Sequence, residues 1–217
     1  VYLAENGLAP YLSFSQSFEP VTGFDRRGNR FEPTRGDQYE AGIRYEVPGR
    51  NMLVSAAVYQ LTQTNSLVTD PVDTDFSAQL GEVRSRGAEL EARGAVTPNA
   101  NVILAYAYTD AQTTDGGPLA PEAAGKATGG IPRHLASLWG DYRFAAQGLP
   151  GLKIGGGVRY VGEMPANWAD FTVPAYTVVD AMASYEWADW KVALNGTNIL
   201  DEAYASCPSD CFWGEPR

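Results

Sequence analysis

The sequence predicts an all-β chain in which about nine antiparallel strands form the wall of a membrane-spanning β-barrel. Short segments alternate apolar and polar residues with the period of two that a strand requires. The connections between these segments are alternately short and long along the whole chain, which is typical of barrels that cross a membrane. Aromatic residues lie near the segment ends, where the two membrane–water interfaces are expected.

The composition excludes several other classes of protein. The 217 residues carry a formal net charge of −10, which argues against non-specific nucleic-acid binding because that depends on Lys and Arg neutralising phosphates. The hydrophobic fraction of 44% argues against intrinsic disorder. No apolar run approaches the roughly 18 residues of a transmembrane helix. The mean hydropathy of −0.25 is that of a soluble domain. A membrane barrel can have the same value, because its strands alternate apolar and polar residues and the average over both faces is not hydrophobic.

The clearest alternation covers residues 38–47, which place Tyr39, Ala41 and Ile43 on one face and polar residues on the other. The turn residues 48–51 follow it, with Pro and Gly at positions that favour chain reversal. The same pattern returns in five further segments, which are residues 88–93, 102–108, 152–160, 179–187 and 190–197. Residues 52–62 are apolar on both faces, so their facing stays open.

The loop lengths and the aromatic positions favour a membrane barrel over a soluble sandwich. The short connections are residues 48–51, 97–100, 145–151 and 188–189, and the long ones are residues 19–35, 65–83, 111–133, 162–175 and those after 198. A sandwich would have comparable loops at both ends. The candidate interface aromatics are Tyr45, Tyr106, Tyr108, Tyr142, Phe144, Tyr160, Tyr185, Trp187 and Trp190. Tyr and Trp favour strands in any protein, but the charged opposite faces suit a wet lumen better than a dry core.

Several segments, taken together and in order, resemble the strand motifs of TonB-dependent siderophore receptors. They are residues 9–20 (APYLSFSQSFEP), 38–45 (QYEAGIRY), 57–65 (AVYQLTQTN), 85–92 (SRGAELEA), 132–139 (PRHLASLW) and 176–180 (YTVVD). The last stretch, NGTNILDEAY at 195–204 followed by ASCPSDCFWG at 205–214, is similar to the ferrichrome-type branch, which takes hydroxamate siderophores.

The resemblance implies a barrel of about 22 strands that is plugged by an N-terminal domain. Residues 1–217 would then be the C-terminal part of that barrel, with the plug domain and the closing strand absent. Such receptors import ferric siderophores through the outer membrane of Gram-negative bacteria, and the TonB complex supplies energy through the plug region. The expected partners are therefore a ferric siderophore, outer-membrane lipid and TonB, with no nucleic acid. The siderophore is a transported ligand that already saturates its iron, so neither a cofactor nor a protein metal site is expected.

The candidate ligand-binding residues are the aromatic side chains of two long loops, Trp168 and Phe171 in one and Phe212 and Trp213 in the other. Aromatic faces can grip a bulky, partly apolar chelate without supplying metal ligands. The alternative that these rings pack within their own loops stays open.

Cys207 and Cys211 are the only cysteines, and a disulfide between them fits an oxidising compartment outside the cytoplasm. No second Cys or His pair is available for a zinc site. The insert between the two cysteines is shorter than expected for the family, which leaves the geometry of this loop open.

Other polar groups are assigned structural roles, and no enzyme is predicted. His134, the single histidine, is expected at the start of a strand, and Glu89 with Glu91 is expected to line a lumen rather than to form the carboxylate pair of a glycosidase. The acidic stretch with Asp70, Asp73, Asp75 and Glu82 is expected to be a solvated external face. The alternative function is that of a complete small β-barrel or sandwich, acting as a binding module or a porin-like structural module.

Overall fold

The computed structural model describes residues 6–166, 171–206 and 212–213, with residues 206, 212 and 213 described for their backbone only. Within these residues, nine strands form one antiparallel sheet whose order follows the chain. They are β1 (Leu8–Glu19), β2 (Thr34–Glu46), β3 (Met52–Thr64), β6 (Glu82–Thr97), β7 (Ala100–Asp115), β8 (His134–Arg143), β9 (Leu152–Val161), β12 (Tyr176–Trp187) and β13 (Trp190–Gly196). The predicted all-β fold class with about nine antiparallel strands is confirmed.

Three small hairpins lie in the long connections. They are β4 (Leu67–Thr69) with β5 (Ser77–Gln79), β10 (Met164–Pro165) with β11 (Thr172–Val173), and β14 (Ala205–Ser206) with β15 (Phe212–Trp213). Two single-turn 3-10 helices cover Pro121–Ala123 and Phe144–Gln147. In the part of the chain that the structure describes, no helix is both long enough and apolar enough to cross a membrane. The described strands make no second large sheet that could pack face to face on the first, as a sandwich requires.

The strand register places apolar and polar residues on opposite faces of the large sheet. One row across seven strands consists of apolar and aromatic residues, namely Tyr45, Val54, Ala92, Leu104, Leu138, Val158 and Val179. The next row points the other way and contains Arg44, Ser55, Glu91, Ala105, Ser137 and Arg159. We name these the apolar face and the polar face. The open facing of residues 52–62 is thereby decided: Val54 and Val58 lie on the apolar face, and Tyr59 on the polar face.

Aromatic side chains border the apolar face at both ends of the strands. At the long-loop end, the rings of Phe14 and Tyr39 lie 4.8 Å apart. His134 begins β8, as predicted, and its Nδ1 lies 2.9 Å from the hydroxyl of Tyr106. At the short-turn end, ring pairs are formed by Tyr142 with Phe144 at 5.0 Å and by Tyr185 with Trp187 at 5.9 Å. These positions are those of the two interface belts of a membrane barrel.

On the polar face, large rings lie over glycines of the next strand. Trp139 is paired with Gly157, and a Cβ on this glycine would lie 2.5 Å from the indole Cε3 and 2.8 Å from the carbonyl oxygen of Leu138. Tyr59 covers Gly87 in the same way, and its hydroxyl lies 3.1 Å from Oγ1 of Thr109 two strands away. A ring that covers a glycine of the next strand recovers the packing that the missing side chain would supply. The glycine-rich stretch of β9 is therefore a packing feature of the wall.

The prediction that a loop begins at residue 111 was wrong, because β7 continues to Asp115. The reason is that the following segment folds back and supplies backbone partners. The amide of Thr113 donates to the carbonyl of Lys126 at 3.0 Å, and the amide of Thr128 donates to the carbonyl of Ala111 at 2.9 Å. Ala111 and Thr113 are each 6% exposed. The strand therefore extends beyond the apolar band while its backbone groups stay satisfied.

Candidate functional site

The loop that contains Phe171 is folded around a small apolar cluster. Met164 on β10 and Val173 on β11 are 5% and 1% exposed, and Ala166 and Ala205 pack against them. The carbonyl of Phe171 accepts a hydrogen bond from the amide of Ala166 at 3.0 Å, which extends the β10–β11 hairpin. The Phe171 side chain is 44% exposed. This candidate side chain is thus presented at the surface by an ordered hairpin.

The last long loop lies beside this hairpin. Ala205 pairs with Trp213, and Ser206 with Phe212. Ala205 also packs on the cluster of Met164 and Val173, so β14 lies against the hairpin that carries Phe171, and β15 is the strand paired with β14. Three of the four predicted ligand-binding positions, Phe171, Phe212 and Trp213, therefore lie on or next to two small hairpins that are in contact through Ala205. Trp168 lies outside the described residues.

The two cysteines, Cys207 and Cys211, also lie outside the described residues. Their disulfide stays a prediction.

Sequence reasoning missed a polar junction that fixes the start of the last loop. Asn198 is 2% exposed with φ at 48°, and its amide donates to Oδ1 of Asp180 at 3.0 Å. Its side chain bonds to both backbone groups of Glu202, at 3.0 and 2.9 Å. Asp180 in turn accepts from Nε of Arg159 at 3.0 Å. An Asn in a short polar turn was the available signal, since Asn tolerates the left-handed conformation and bonds to its own turn.

A stacked pair of rings strengthens this junction. The rings of Tyr176, at the start of β12, and Tyr204, just before β14, lie 4.1 Å apart with an interplanar angle of 18°. Stacked rings in contact bury apolar surface against each other. The last loop is thereby attached to the end of the sheet by both hydrogen bonds and a ring contact.

The polar face carries a concavity of about 360 Å³ below these loops. Glu89 and Glu91 line one side, and Arg159 and Tyr176 line the other, with small residues such as Ser137 between them. Both glutamates are exposed, in agreement with the lumen-lining role predicted for them. Charged side chains of both signs surround small residues at the bottom of this concavity, and such a surface can bind a polar group or ordered water. Among the described residues, no group of three or more acidic, His or Cys side chains is placed to hold a metal ion.

The prediction of a solvated acidic loop was wrong for Asp70 and for Glu82, which is half-buried at the start of β6. Asp73 and Asp75 are exposed, but the Asp70 side chain is 0% exposed and its Oδ2 lies 2.8 Å from Nε of Arg26. Burial by itself would raise the pKa of Asp70. The amides of Val72 and Asp73 together with the Arg26 guanidinium outweigh burial and lower this pKa below its usual value.

Comparison with known proteins identifies the family to which this sheet belongs. Residues 1–199 match the family described as TonB dependent receptor-like, beta-barrel. The chain belongs to this family. The apolar face of the sheet is therefore the lipid side of a TonB-dependent receptor barrel in the Gram-negative outer membrane, and the polar face lines its interior.

Among curated relatives, the chain is 44% identical over 228 residues to the ferrichrome outer membrane transporter/phage receptor of Escherichia coli K12. This alignment covers 100% of this chain and 30% of that protein. It is 38% identical to the ferrioxamine B receptor of Salmonella typhimurium, with 100% of this chain and 32% of that protein covered. The chain thus spans about a third of the length of the curated relatives it matches. These relatives are transporters and receptors, not enzymes, as predicted.

The solved structures show the same fold. The ferripyoverdine receptor of Pseudomonas aeruginosa superposes with a TM-score of 0.79 at 24% identity, covering 97% of this chain and 30% of that chain. The ferric-catecholate import receptor of Escherichia coli K12 in its closed form gives a TM-score of 0.77 at 25% identity, and the match covers 100% of this chain and 32% of that chain. The TonB-dependent receptor barrel is thus matched across nearly the whole chain.

Proposed function

We propose that this chain is part of the barrel of a receptor that takes up ferric siderophores through the outer membrane with energy from the TonB complex. The observation that carries this proposal is the 44% identity to a ferrichrome transporter over the whole of this chain. On this proposal, the plug domain and the closing strand lie outside the 217 residues, and TonB acts through the plug. Outer-membrane lipid covers the apolar face.

The proposed ligand is a ferric hydroxamate siderophore of the ferrichrome kind. The first two relatives are named for ferrichrome and for ferrioxamine B, and both ligands are hydroxamates. The proposed contacts are the aromatic side chains of Trp168, Phe171, Phe212 and Trp213. Phe171 is exposed on its hairpin, and that hairpin contacts β14, the partner strand of β15, through Ala205. Aromatic side chains on these two hairpins would suit a partly apolar chelate.

Uptake of radioactive iron tests the proposal. The full-length receptor is expressed in cells that lack their own siderophore receptors, and ferrichrome, ferrioxamine B and ferripyoverdine are supplied in turn. We expect uptake of ferrichrome, abolished in a strain without TonB. Uptake of only a non-hydroxamate chelate would overturn the ligand assignment, and uptake that persists without TonB would overturn the mechanism.

Loop variants test the contact residues separately. Phe171→Ala should weaken ferrichrome binding roughly tenfold, which corresponds to about 1.4 kcal/mol for a lost aromatic anchor. The matched control is Phe24→Ala, which removes another exposed loop ring, 54% exposed, from a different loop. Equal effects of the two variants on the dissociation constant would contradict a specific contact at Phe171.

A further inference from the structure

Two neighbouring long loops are joined to each other by side-chain contacts. We name them the first loop, residues 20–33 between β1 and β2, and the second loop, residues 65–81 between β3 and β6. The amide side chain of Gln79 accepts from the amide of Glu32 at 2.9 Å and donates to the carbonyl of Glu32 at 2.6 Å. Asn65 donates to the carbonyl of Pro33 at 3.1 Å. These contacts join the loops close to the strands.

The far part of the first loop is an ordered turn that presents Arg26. Asp25 accepts hydrogen bonds from the amides of Arg27 and Asn29 at 2.9 and 2.8 Å, and from the side chain of Asn29 at 2.9 Å. The Gly28 amide donates to the carbonyl of Asp25 at 2.9 Å, and Gly28 has a φ of 84°. The carboxylate of Asp25 therefore fixes the backbone on both sides of Arg26.

The far part of the second loop is an equally ordered turn that presents Asp70. Its Oδ1 accepts from the amides of Val72 and Asp73 at 2.8 and 3.2 Å, and its backbone amide donates to the carbonyl of Phe76 at 3.0 Å. Its Oδ2 lies 2.8 Å from Nε of Arg26, whose side chain is 27% exposed. One carboxylate oxygen thus holds the turn, and the other meets the first loop.

We propose that the Arg26–Asp70 ion pair latches the far ends of these two loops, so that they form one unit and a displacement of either loop is passed to the other. It is the only ion pair between the two loops within the described part of the chain. Because Asp70 is buried, its charge needs Arg26, and separating the two groups leaves an unpaired charge. The inference stands on these contacts and holds for any ligand of the receptor.

Hydrogen exchange on the full-length receptor in detergent tests the latch. Arg26→Ala should raise amide exchange at least about tenfold in both loops, since a broken buried ion pair loosens both partners. The matched control is Arg27→Ala, because Arg27 is the next residue and makes no ion pair in the described part of the chain. Exchange in β6 and β7 reports whether the wall is intact, and it should not change in either variant.

A second variant separates the latch from the turn. Asp70→Asn keeps an oxygen for the amides of Val72 and Asp73 but removes the charge that meets Arg26. We expect faster exchange in the first loop while the amides of Val72 and Asp73 stay protected. Faster exchange confined to the mutated loop, in both Arg26→Ala and Asp70→Asn, would overturn the proposal. So would an Arg27→Ala variant that loosens both loops as much as Arg26→Ala.

Discussion

The wall of the barrel and its long-loop end are stabilised by different kinds of interaction. In the wall, backbone pairing links all nine described strands of the sheet, and each residue is assigned to lipid or lumen by its position along the strand. At the long-loop end, individual side chains make the contacts: Gln79 and Asp70 join one loop to another, and Asn198 holds the turn of its own loop. The wall therefore depends on a repeated pattern, whereas the loops depend on single residues.

The largest effect is expected where a charge is placed on the lipid side of the wall. Leu138→Arg puts a guanidinium in the apolar row with Leu104 and Val158, and should destabilise the barrel by about 2–4 kcal/mol. Its control is Ser137→Arg, one residue earlier, which points to the polar concavity. Urea unfolding of the full-length receptor in lipid vesicles measures the difference. Equal losses in both variants would contradict the assignment of faces.

The next effect is expected at a glycine beneath a ring. Gly157→Ala forces a Cβ against Trp139 and the Leu138 carbonyl, and should cost about 1–3 kcal/mol, as overpacking does. The control is Gly156→Ala on the opposite face, where a Cβ would lie 3.4 Å from its nearest neighbour, the carbonyl oxygen of Asp180. The thermal midpoint of unfolding should fall for Gly157→Ala alone. A Gly157→Ala variant as stable as Gly156→Ala would contradict the close packing of Gly157 against Trp139 and the Leu138 carbonyl.

A smaller effect is expected at the interface belt. Tyr106→Phe removes the hydroxyl that lies 2.9 Å from Nδ1 of His134, and should cost about 0.5–1.5 kcal/mol of stability. Tyr108→Phe is the control, since its ring also lies beside His134 at 5.3 Å, but its hydroxyl makes no hydrogen bond within the described residues. Chemical unfolding of the two variants gives the comparison. An equal or larger loss for Tyr108→Phe would show that the hydrogen bond between Tyr106 and His134 does not stabilise this end of β8.

The smallest effect on the whole protein is expected from acid, and it should be confined to the loops. The pKa of Asp70 is lowered in the folded protein. The stability that the Asp70 carboxylate gives to the two loops is therefore fully present above the ordinary aspartate pKa of about 3.9, and it is lost as the pH falls through the lowered pKa. The amides of Val72 and Asp73 and the charge of Arg26 are the groups that face it. The latch should therefore survive at a pH where ordinary aspartates are half protonated.

Spin labels at Arg27→Cys and Asp75→Cys, which are exposed positions in the first and the second loop, test this. Separation of the two loops would appear as an increase in the distance between the labels. The distance should stay constant from pH 7 down to the ordinary aspartate range and increase only below it. With Asp70→Asn added, the distance should be long at every pH. A distance that increases at the ordinary aspartate pKa would show that Asp70 is not the titrating group.

The sequence by itself determined the fold class, the alternation of the strands and the inequality of the loops. Residues 38–47 already separate Tyr39, Ala41 and Ile43 from their polar neighbours, because side chains of a strand alternate whatever the strand pairs with. Interface aromatics such as Trp187 and Trp190 could be predicted for the same local reason. The resemblance to the receptor family rested on such segments in their order along the chain.

Only the tertiary structure decided what depends on residues that are distant in the sequence. The facing of residues 52–62 required a register, because both of their faces are apolar. Gly157 acquires its role only under Trp139 of the neighbouring strand. Asp70 is indistinguishable in the sequence from the exposed Asp73 and Asp75, and its burial follows from Arg26, 44 positions earlier, which the fold brings to 2.8 Å. The alternation of a strand is set by the residues of that strand. Close packing and charge pairing depend instead on residues that are distant in the sequence and become neighbours only in the folded protein.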